Sequence, residues 1–443
     1  MTTASKRVIT GWAMYDWANS VYNLVITTTF FPIFFLSVTR QIYGENNVPL
    51  FGRKFPNSSL YNYTSAFAYL LIAVLLPILS SIADSRGNKK RFMQFFCYLG
   101  GLSCMGLFWF NGRNVEWGLA CFVLAAIGYI GSLVFYNSYL PEIADPADQD
   151  RVSAKGFSLG YIGSVILQVI GFGLVVFFEK RGDSLSGPLY TFLLVGLWWM
   201  GFAQITFATL PKPKINPEKK RKNFITQGFL ELRKVFAQLK QAPVLKRFLF
   251  SFFFYSMGVQ TVMLAAVVFA DKLLRLPATK LIITVVLIQL VAIVGANLMS
   301  RLSAKFGNLK VLMGVVIFWI LICFGAYYVA EIAEKGRNAE YYFYGLAVSV
   351  GLVMGGIQSL SRSTYSKLMP QTTDTASFFS FYDISEKIAI VIGMFTYGYI
   401  DEMIGMKYSV LALIVFFFIG LFGLFLSLKK QNSLLPDREV SVV

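Results

Sequence analysis

From Val410 to Leu428 the chain runs without a single charged residue. About 20 consecutive apolar residues are what a helix needs to cross the hydrocarbon of a bilayer, where each backbone polar group must be satisfied within the segment itself. A core helix of a soluble protein keeps a polar stripe at the 3.6-residue period, and this run has none. Composition extends the reading to the whole chain. Its 443 residues are 56% hydrophobic, 16% aromatic and 14% charged, against roughly 25% charged in ordinary globular domains. That is too little charge to coat a water-facing surface of this size. The expected fold class is an all-α, polytopic integral membrane protein.

Twelve segments of crossing length are expected, near residues 11–36, 60–83, 92–110, 116–140, 156–178, 188–210, 248–270, 281–300, 309–330, 341–361, 377–400 and 408–428. Trp109 and Trp117 flank one turn, and Tyr341, Tyr342 and Tyr344 another, as interfacial aromatic belts do. One hydrophilic stretch, from Pro211 to Arg247, breaks the regularity. It holds 11 Lys and Arg against two Glu. Within it Ile225, Phe229, Leu232, Val235, Phe236 and Leu239 recur at helical spacing while Arg233, Lys234 and Lys240 project elsewhere, the pattern of an amphipathic helix at a membrane surface. The stretch reads as a tether. The expected organisation is an N-terminal six-helix bundle over 1–210, a basic cytoplasmic linker over 211–247, and a C-terminal six-helix bundle with a short tail over 248–443.

The net charge of +17 does not point to nucleic acid. With a cytoplasmic N-terminus and alternating spans, 27 of the 40 Lys and Arg fall in cytoplasmic segments, 12 fall outside and one, Lys387, lies within a span. This is the positive-inside bias. It places both termini in the cytoplasm, the membrane being the cytoplasmic one in a bacterium, and brings the basic residues to anionic lipid headgroups. The first span is too long, and the stretch before it too short, for a cleaved signal peptide. Cys97, Cys104, Cys121 and Cys323 lie in apolar runs without C-x-x-C spacing and read as small core hydrophobes. The chain has no histidine, which removes His-ligated metal sites, His-based triads and imidazole proton relays. No metal and no cofactor is expected, and a monomer is favoured.

The two halves resemble each other. Ser80, Asp84, Gly87, Asn88 and Lys90 follow the second span. Ser300, Ala304, Gly307, Asn308 and Lys310 follow the eighth at a constant displacement of 220 residues. The fourth and tenth spans end alike in Asn137-Ser138 and Gln358-Ser359. Duplicated halves are how many secondary transporters are built.

A charge at the centre of a spanning helix costs roughly 2.5–3.5 kcal/mol on insertion scales and normally faces a cavity or a partner. Asp16, Asp383, Glu386 and Lys387 are the candidates. The last three stand at i, i+3 and i+4 of one helix, hence on one face. An intrahelical Asp383–Lys387 pair is one reading of this cluster, and it leaves Glu386 without a local cation and available to carry a proton. In the first span Asp16, Asn19, Ser20, Asn23 and Thr27 follow the helical period. Asp16 reads either as a carboxylate at the helix N-terminus or as the start of a water-facing groove, which the inward Asn and Thr favour. Tyr136, Asn137, Gln260 and Gln358 are further solute-binding candidates, each competing with a plain role in helix–helix hydrogen bonding. Gly156, Gly160 and Gly163 read as close helix packing.

Two bundles of six and the loop Asp84-Ser85-Arg86-Gly87-Asn88-Lys89-Lys90-Arg91 resemble the major facilitator superfamily. In its cytoplasmic loop motif Asp84, Gly87 and Lys89 match, while Ser80 replaces the leading glycine and Ser85 the first basic residue. The resemblance implies that Asp84, Arg86, Gly87 and Lys89, together with Arg362, gate the conformational cycle. Tyr15-Asp16-Trp17-Ala18-Asn19-Ser20, the run Tyr136 to Ile143 with Arg151-Val152-Ser153, and Ser359 to Ser363 with Phe379 to Lys387 are similar to the autophagy-related vacuolar effluxer branch. Ser256-Met257 stands where that branch carries an acidic residue. Coverage is nearly the whole chain, and the resemblance implies amino-acid export.

The expected function is alternating-access secondary transport of a small polar organic solute, proton-coupled through Glu386, Asp383 or Asp16. Asn19, Asn23, Tyr136, Asn137, Gln260, Gln358 and Lys387 are the expected solute contacts. An intramembrane enzyme acting on lipid needs a nucleophile, base or metal cluster, and a receptor or scaffold calls for a large soluble domain. The sequence shows neither feature.

Overall fold

The computed structural model describes residues 2–86, 88–211, 224–274 and 278–434. Helices make up nearly all of it. The first is a continuous helix over Lys6–Tyr43, built of α1 (Lys6–Val21), a π-helical stretch (Tyr22–Phe30) and α2 (Phe31–Tyr43). The widening has a local cause. Pro32 has no N–H to donate, and its ring collides with the carbonyl of residue i−4 in a regular helix. Just before it the turns open, so that the Phe31 N–H bonds Ile26 O, five residues back. The Thr28 and Thr29 hydroxyls both donate to Leu24 O, at 2.8 and 3.0 Å.

A short hairpin follows, β1 (Val48–Leu50) paired antiparallel with β2 (Arg53–Phe55). Its turn residues Phe51 and Gly52 both have positive φ, 47° and 79°, the geometry that matches strand twist in a two-residue connection. The remaining elements are α3 (Asn57–Arg86), α4 (Lys89–Gly106), α5 (Val115–Ser138), α6 (Leu140–Ile143), α7 (Gln149–Glu179), α8 (Ser186–Thr209), α9 (Phe224–Gln241), α10 (Pro243–Leu274), α11 (Ala278–Phe306), α12 (Asn308–Glu334), α13 (Glu340–Leu368), α14 (Thr375–Ile404) and α15 (Met406–Asn432). Among the described residues eleven helices are long and apolar enough to cross a membrane. Helix α14 has the length but carries too much charge to count among them: Asp383, Glu386 and Lys387 crowd its middle, and Asp401 and Glu402 lie near its end. Helix α9 is the element that the spacing of Val235, Phe236 and Leu239 predicts; Val235 is fully buried and Phe236 is exposed.

The chain forms two compact units. The first comprises Met1–Ile143, Leu159–Glu231 and Asp374–Asp383, the second Ala144–Ser158, Leu232–Thr373 and Ile384–Val443. The core of the first is aromatic: Phe31 stacks on Phe122 at 4.5 Å, and Trp12 on Tyr136 at 4.4 Å. In the second unit α11 and α13 meet at backbone distance. A Cβ built at Gly355 would lie 2.1 Å from Ala292 O, and one at Gly295 would lie 2.0 Å from Leu352 O. Small residues spaced four apart, here Gly351 and Gly355, allow this approach in lipid, where close van der Waals packing replaces the hydrophobic drive.

Candidate transport site and gating clusters

The polar face of α1 is buried in the first unit. Asp16, Asn19 and Thr27 are each less than 8% exposed. The Tyr136 hydroxyl donates to Asp16 Oδ2 at 2.7 Å, and the Trp12 indole N–H donates to the Tyr136 carbonyl at 2.9 Å. The structure therefore joins two sequence candidates, Asp16 and Tyr136, in one hydrogen-bonded group. The alternative of Asp16 as a helix-terminal carboxylate is corrected: α1 begins at Lys6, ten residues earlier, beyond the first-turn reach of the helix dipole. Both amide atoms of Asn19 are buried without a hydrogen-bond partner among the described residues, and the Tyr22 and Thr27 hydroxyls are buried beside each other. Asn23 is half-buried and Asn137 is buried on α5. Gly160 and Gly163 serve close packing, as expected: a Cβ at either would strike Ser20 Oγ or Trp17 O, at 2.4 and 2.8 Å.

In the second unit the charged pair of α14 meets α10. The Lys387 ammonium lies 2.6 Å from Glu386 Oε2, and Gln260 Nε2 donates to Glu386 Oε1 at 2.9 Å. This corrects the expectation that Glu386 stands without a local cation. Neighbouring residues on a helix point about 100° apart, but the four-carbon lysine stem is long enough to fold back along the groove. Gln260 is thereby placed with Glu386 and Lys387. Gln358 on α13 meets α10 one turn further on than Gln260, its amide reaching Met263 Sδ at 3.4 Å. Asp383 is buried on α14 within the first unit. The second unit also holds a cavity of about 50 Å³ lined by Val262, Phe269, Ile322, Cys323, Phe343 and Tyr397. Its walls are almost wholly apolar, which excludes it as the seat of a polar solute.

The loop carboxylate Asp84 caps a helix distant in sequence. Its side chain is fully inaccessible. It accepts the backbone N–H groups of Ala376 and Ser377 at 3.3 and 2.7 Å and the Ser377 hydroxyl at 2.8 Å. These are first-turn N–H groups of α14, orphaned within their own helix and sitting at the positive end of its dipole. No acidic residue occupies that first turn, and buried Asp374 stands directly before it; Asp84 adds a second carboxylate from α3. Lys89 stands 3.4 Å from Asp84 Oδ1 and also contacts Glu142 and the Thr375 hydroxyl. Thr375 donates onward to Glu142 Oε1 at 2.9 Å. Gly87 and the side chain of Arg86 lie outside the described residues.

A second cluster, in the second unit, was not singled out by the sequence. Asp150 Oδ2 accepts from Lys367 Nζ and from the Ser303 hydroxyl, each at 2.7 Å, and Asp150 Oδ1 accepts from Asn308 Nδ2 at 2.7 Å. Lys367 also donates to Asn308 Oδ1 at 3.0 Å. Asn308 is the repeat partner of Asn88. Ala304 occupies the place of Asp84, and the carboxylate comes from α7 instead. Close by in sequence, buried Arg362 donates from Nε to Ser153 Oγ and from Nη2 to Ser153 O, both at 2.9 Å, and stacks 4.3 Å over Phe157. Ser153 Oγ in turn donates to Ser359 O at 2.8 Å.

Membrane-crossing helices of this number and order, with ionisable groups held at their centres and ends, define a transporter of the major facilitator type. Two solved structures share the fold. A bacterial homologue of the iron transporter ferroportin, in an outward-facing state, aligns with TM-score 0.68 at 12% identity, covering 96% of this chain and 98% of that one. The proton:xylose symporter XylE bound to 6-bromo-6-deoxy-D-glucose aligns with TM-score 0.65 at 13% identity, covering 96% and 94%. The MFS-type transporter YxiO of Bacillus subtilis (strain 168) is 30% identical over 420 residues, 93% of this chain and 92% of its own. The chain belongs to the vacuole effluxer Atg22 like family, whose profile matches residues 4–434. It is a multi-pass membrane transporter and not an enzyme.

Proposed function

We propose that the chain is an alternating-access carrier that exports a small polar organic solute, amino acids first among the candidates, with proton movement as the driving force. The observation that carries this reading is the Gln260–Glu386–Lys387 group, which joins the apolar span of α10 to α14. Ionisable groups at such depth cost several kcal/mol and persist where they handle substrate or ions. In this reading a proton arriving on Glu386 neutralises a carboxylate that holds Lys387 and weakens their bond, so that the ammonium can also answer an anionic group of the solute. With histidine absent, carboxylates are the proton carriers the chain possesses, and Asp16 and Asp383 are the alternatives to Glu386.

The Asp16–Tyr136 pair and the amide of Asn19 supply a second polar face, in the first unit. A buried amide without a partner costs about 1–3 kcal/mol, so a solute or water that satisfies Asn19 gains by that amount. Asn23, Asn137 and Gln358 fit the same role less directly. The Asp84–Lys89 and Arg362–Ser153 groups act as gates, opening and re-forming through the cycle. Export follows the family description, and a proton as driving ion has a precedent in the symporter of the same fold. Both termini are placed in the cytoplasm by the distribution of Lys and Arg, and a monomer suffices for this scheme. A panel of radiolabelled solutes offered to proteoliposomes, with and without an imposed pH gradient, tests the proposal. Gradient-dependent accumulation of a polar solute supports it, and failure of every polar solute refutes it.

A further inference from the structure

The end of the second unit where α10 begins and α15 finishes carries unpaired cations beside exposed aromatic rings. Helix α9 buries Val235 completely and turns Arg233, Phe236 and Lys240 outward, with the Lys240 ammonium 4.8 Å over the Phe236 ring. At the start of α10 Lys246 is exposed, and one turn further in Phe250 is 50% exposed. Arg247 Nη1 donates to Leu426 O at 2.9 Å and so ties this end of α10 to the last turns of α15. There the order repeats: Phe422 and Phe425 are exposed, and Lys429 and Lys430 follow in the last turn. Arg233, Lys240, Lys246, Lys429 and Lys430 form no ion pair among the described residues, and from Leu232 to Arg247, just after Glu231, the sequence has no acidic residue.

We infer that this surface binds the headgroup of an anionic phospholipid. Aromatic rings set just inside a rim of cations match the two zones of a bilayer, acyl chains against the rings and phosphate against the ammonium and guanidinium groups. Surface cations attract anionic lipid, and an uncompensated cluster does so most strongly. A soluble acidic partner would leave Phe236, Phe250 and Phe425 facing water, whereas lipid covers rings and cations together.

The test uses the full chain, purified and equilibrated with an equimolar mixture of phosphatidylglycerol and phosphatidylcholine, with bound lipid counted by native mass spectrometry. The parent is expected to retain phosphatidylglycerol over phosphatidylcholine by at least tenfold. Arg233→Gln, Lys240→Gln, Lys246→Gln and Lys429→Gln should each lower the phosphatidylglycerol affinity by up to about fivefold, and their combination should remove the preference while phosphatidylcholine binding stays. Arg53→Gln with Lys54→Gln, exposed at the hairpin, should leave it intact. Should the combined variant not fold, the exposed single Lys240→Gln still gives the reading. No preference in the parent, or full preference in the combined variant, overturns the inference.

Discussion

Asp84 Oδ2 accepts the backbone N–H of Ser377 at 2.7 Å, so a carboxylate in the last turn of α3 binds the first-turn N–H groups of α14. The bond explains why this loop tolerates an aspartate so deeply buried. The charge is answered by helix-terminal N–H groups, a serine hydroxyl and Lys89 together.

Asp84→Asn keeps an acceptor for the N–H groups and removes the charge. It should slow transport while leaving solute affinity within a few-fold, measured as turnover in proteoliposomes beside equilibrium binding in detergent. Lost binding with unchanged turnover would contradict a gating role.

The Asp150 group invites a double-mutant cycle. Asp150→Ala removes a buried carboxylate from half-buried Lys367 and Asn308, and losing hydrogen bonds to a charged group costs about 1.5–3 kcal/mol. A clear fall in melting temperature is expected. Asp150→Ala combined with Lys367→Met should recover part of it, because no buried charge is left over. Strict additivity of the two losses would show that the pair does not act together.

Backbone contact between α11 and α13 makes Gly355→Ala destabilising by about 1–3 kcal/mol, the usual cost of overpacking. Gly398→Ala, with nothing within 4 Å of its Cβ, is the control and should leave the melting temperature unchanged. Equal behaviour of the two variants would refute the close approach.

Orientation can be read by cysteine labelling in intact cells. A cysteine replacing Arg113, in the turn between α4 and α5, should react with an impermeant maleimide applied from outside. One replacing Arg221 should not. The reverse pattern would invert the topology.

Much of this was legible in the sequence because the membrane imposes one dominant rule. Apolar runs of crossing length must be helices, and the polar residues within them, such as Asp16, Tyr136, Gln260 and Glu386, stand out against that background. What pairs with what was less legible. The i, i+4 rule points Lys387 at Asp383 and gives no sign of its bond to the adjacent Glu386, which a long side chain with rotamer freedom can also reach. The Asp150 group was invisible for a different reason. Asp145, Asp148 and Asp150 crowd one short stretch leading into α7, and no spacing tells that it is Asp150 that meets Lys367, 217 residues away. The 220-residue repeat did contain a hint: Asn308 is retained while Asp84 becomes Ala304, so a carboxylate had to come from another element. The hairpin at Phe51-Gly52 and the π-helical turns before Pro32 carry signals too short to separate from an ordinary loop and helix.

The most direct test of the transport scheme is accumulation by Glu386→Gln in proteoliposomes. The parent chain should concentrate its solute only when a pH gradient is imposed. The variant, with a neutral amide in place of the proton-accepting carboxylate, should lose accumulation yet still exchange solute down its own gradient. If Glu386→Gln concentrates solute under a pH gradient as the parent does, Glu386 is not the coupling group, and the Glu386–Lys387 pair is only a structural neutralisation of two buried charges.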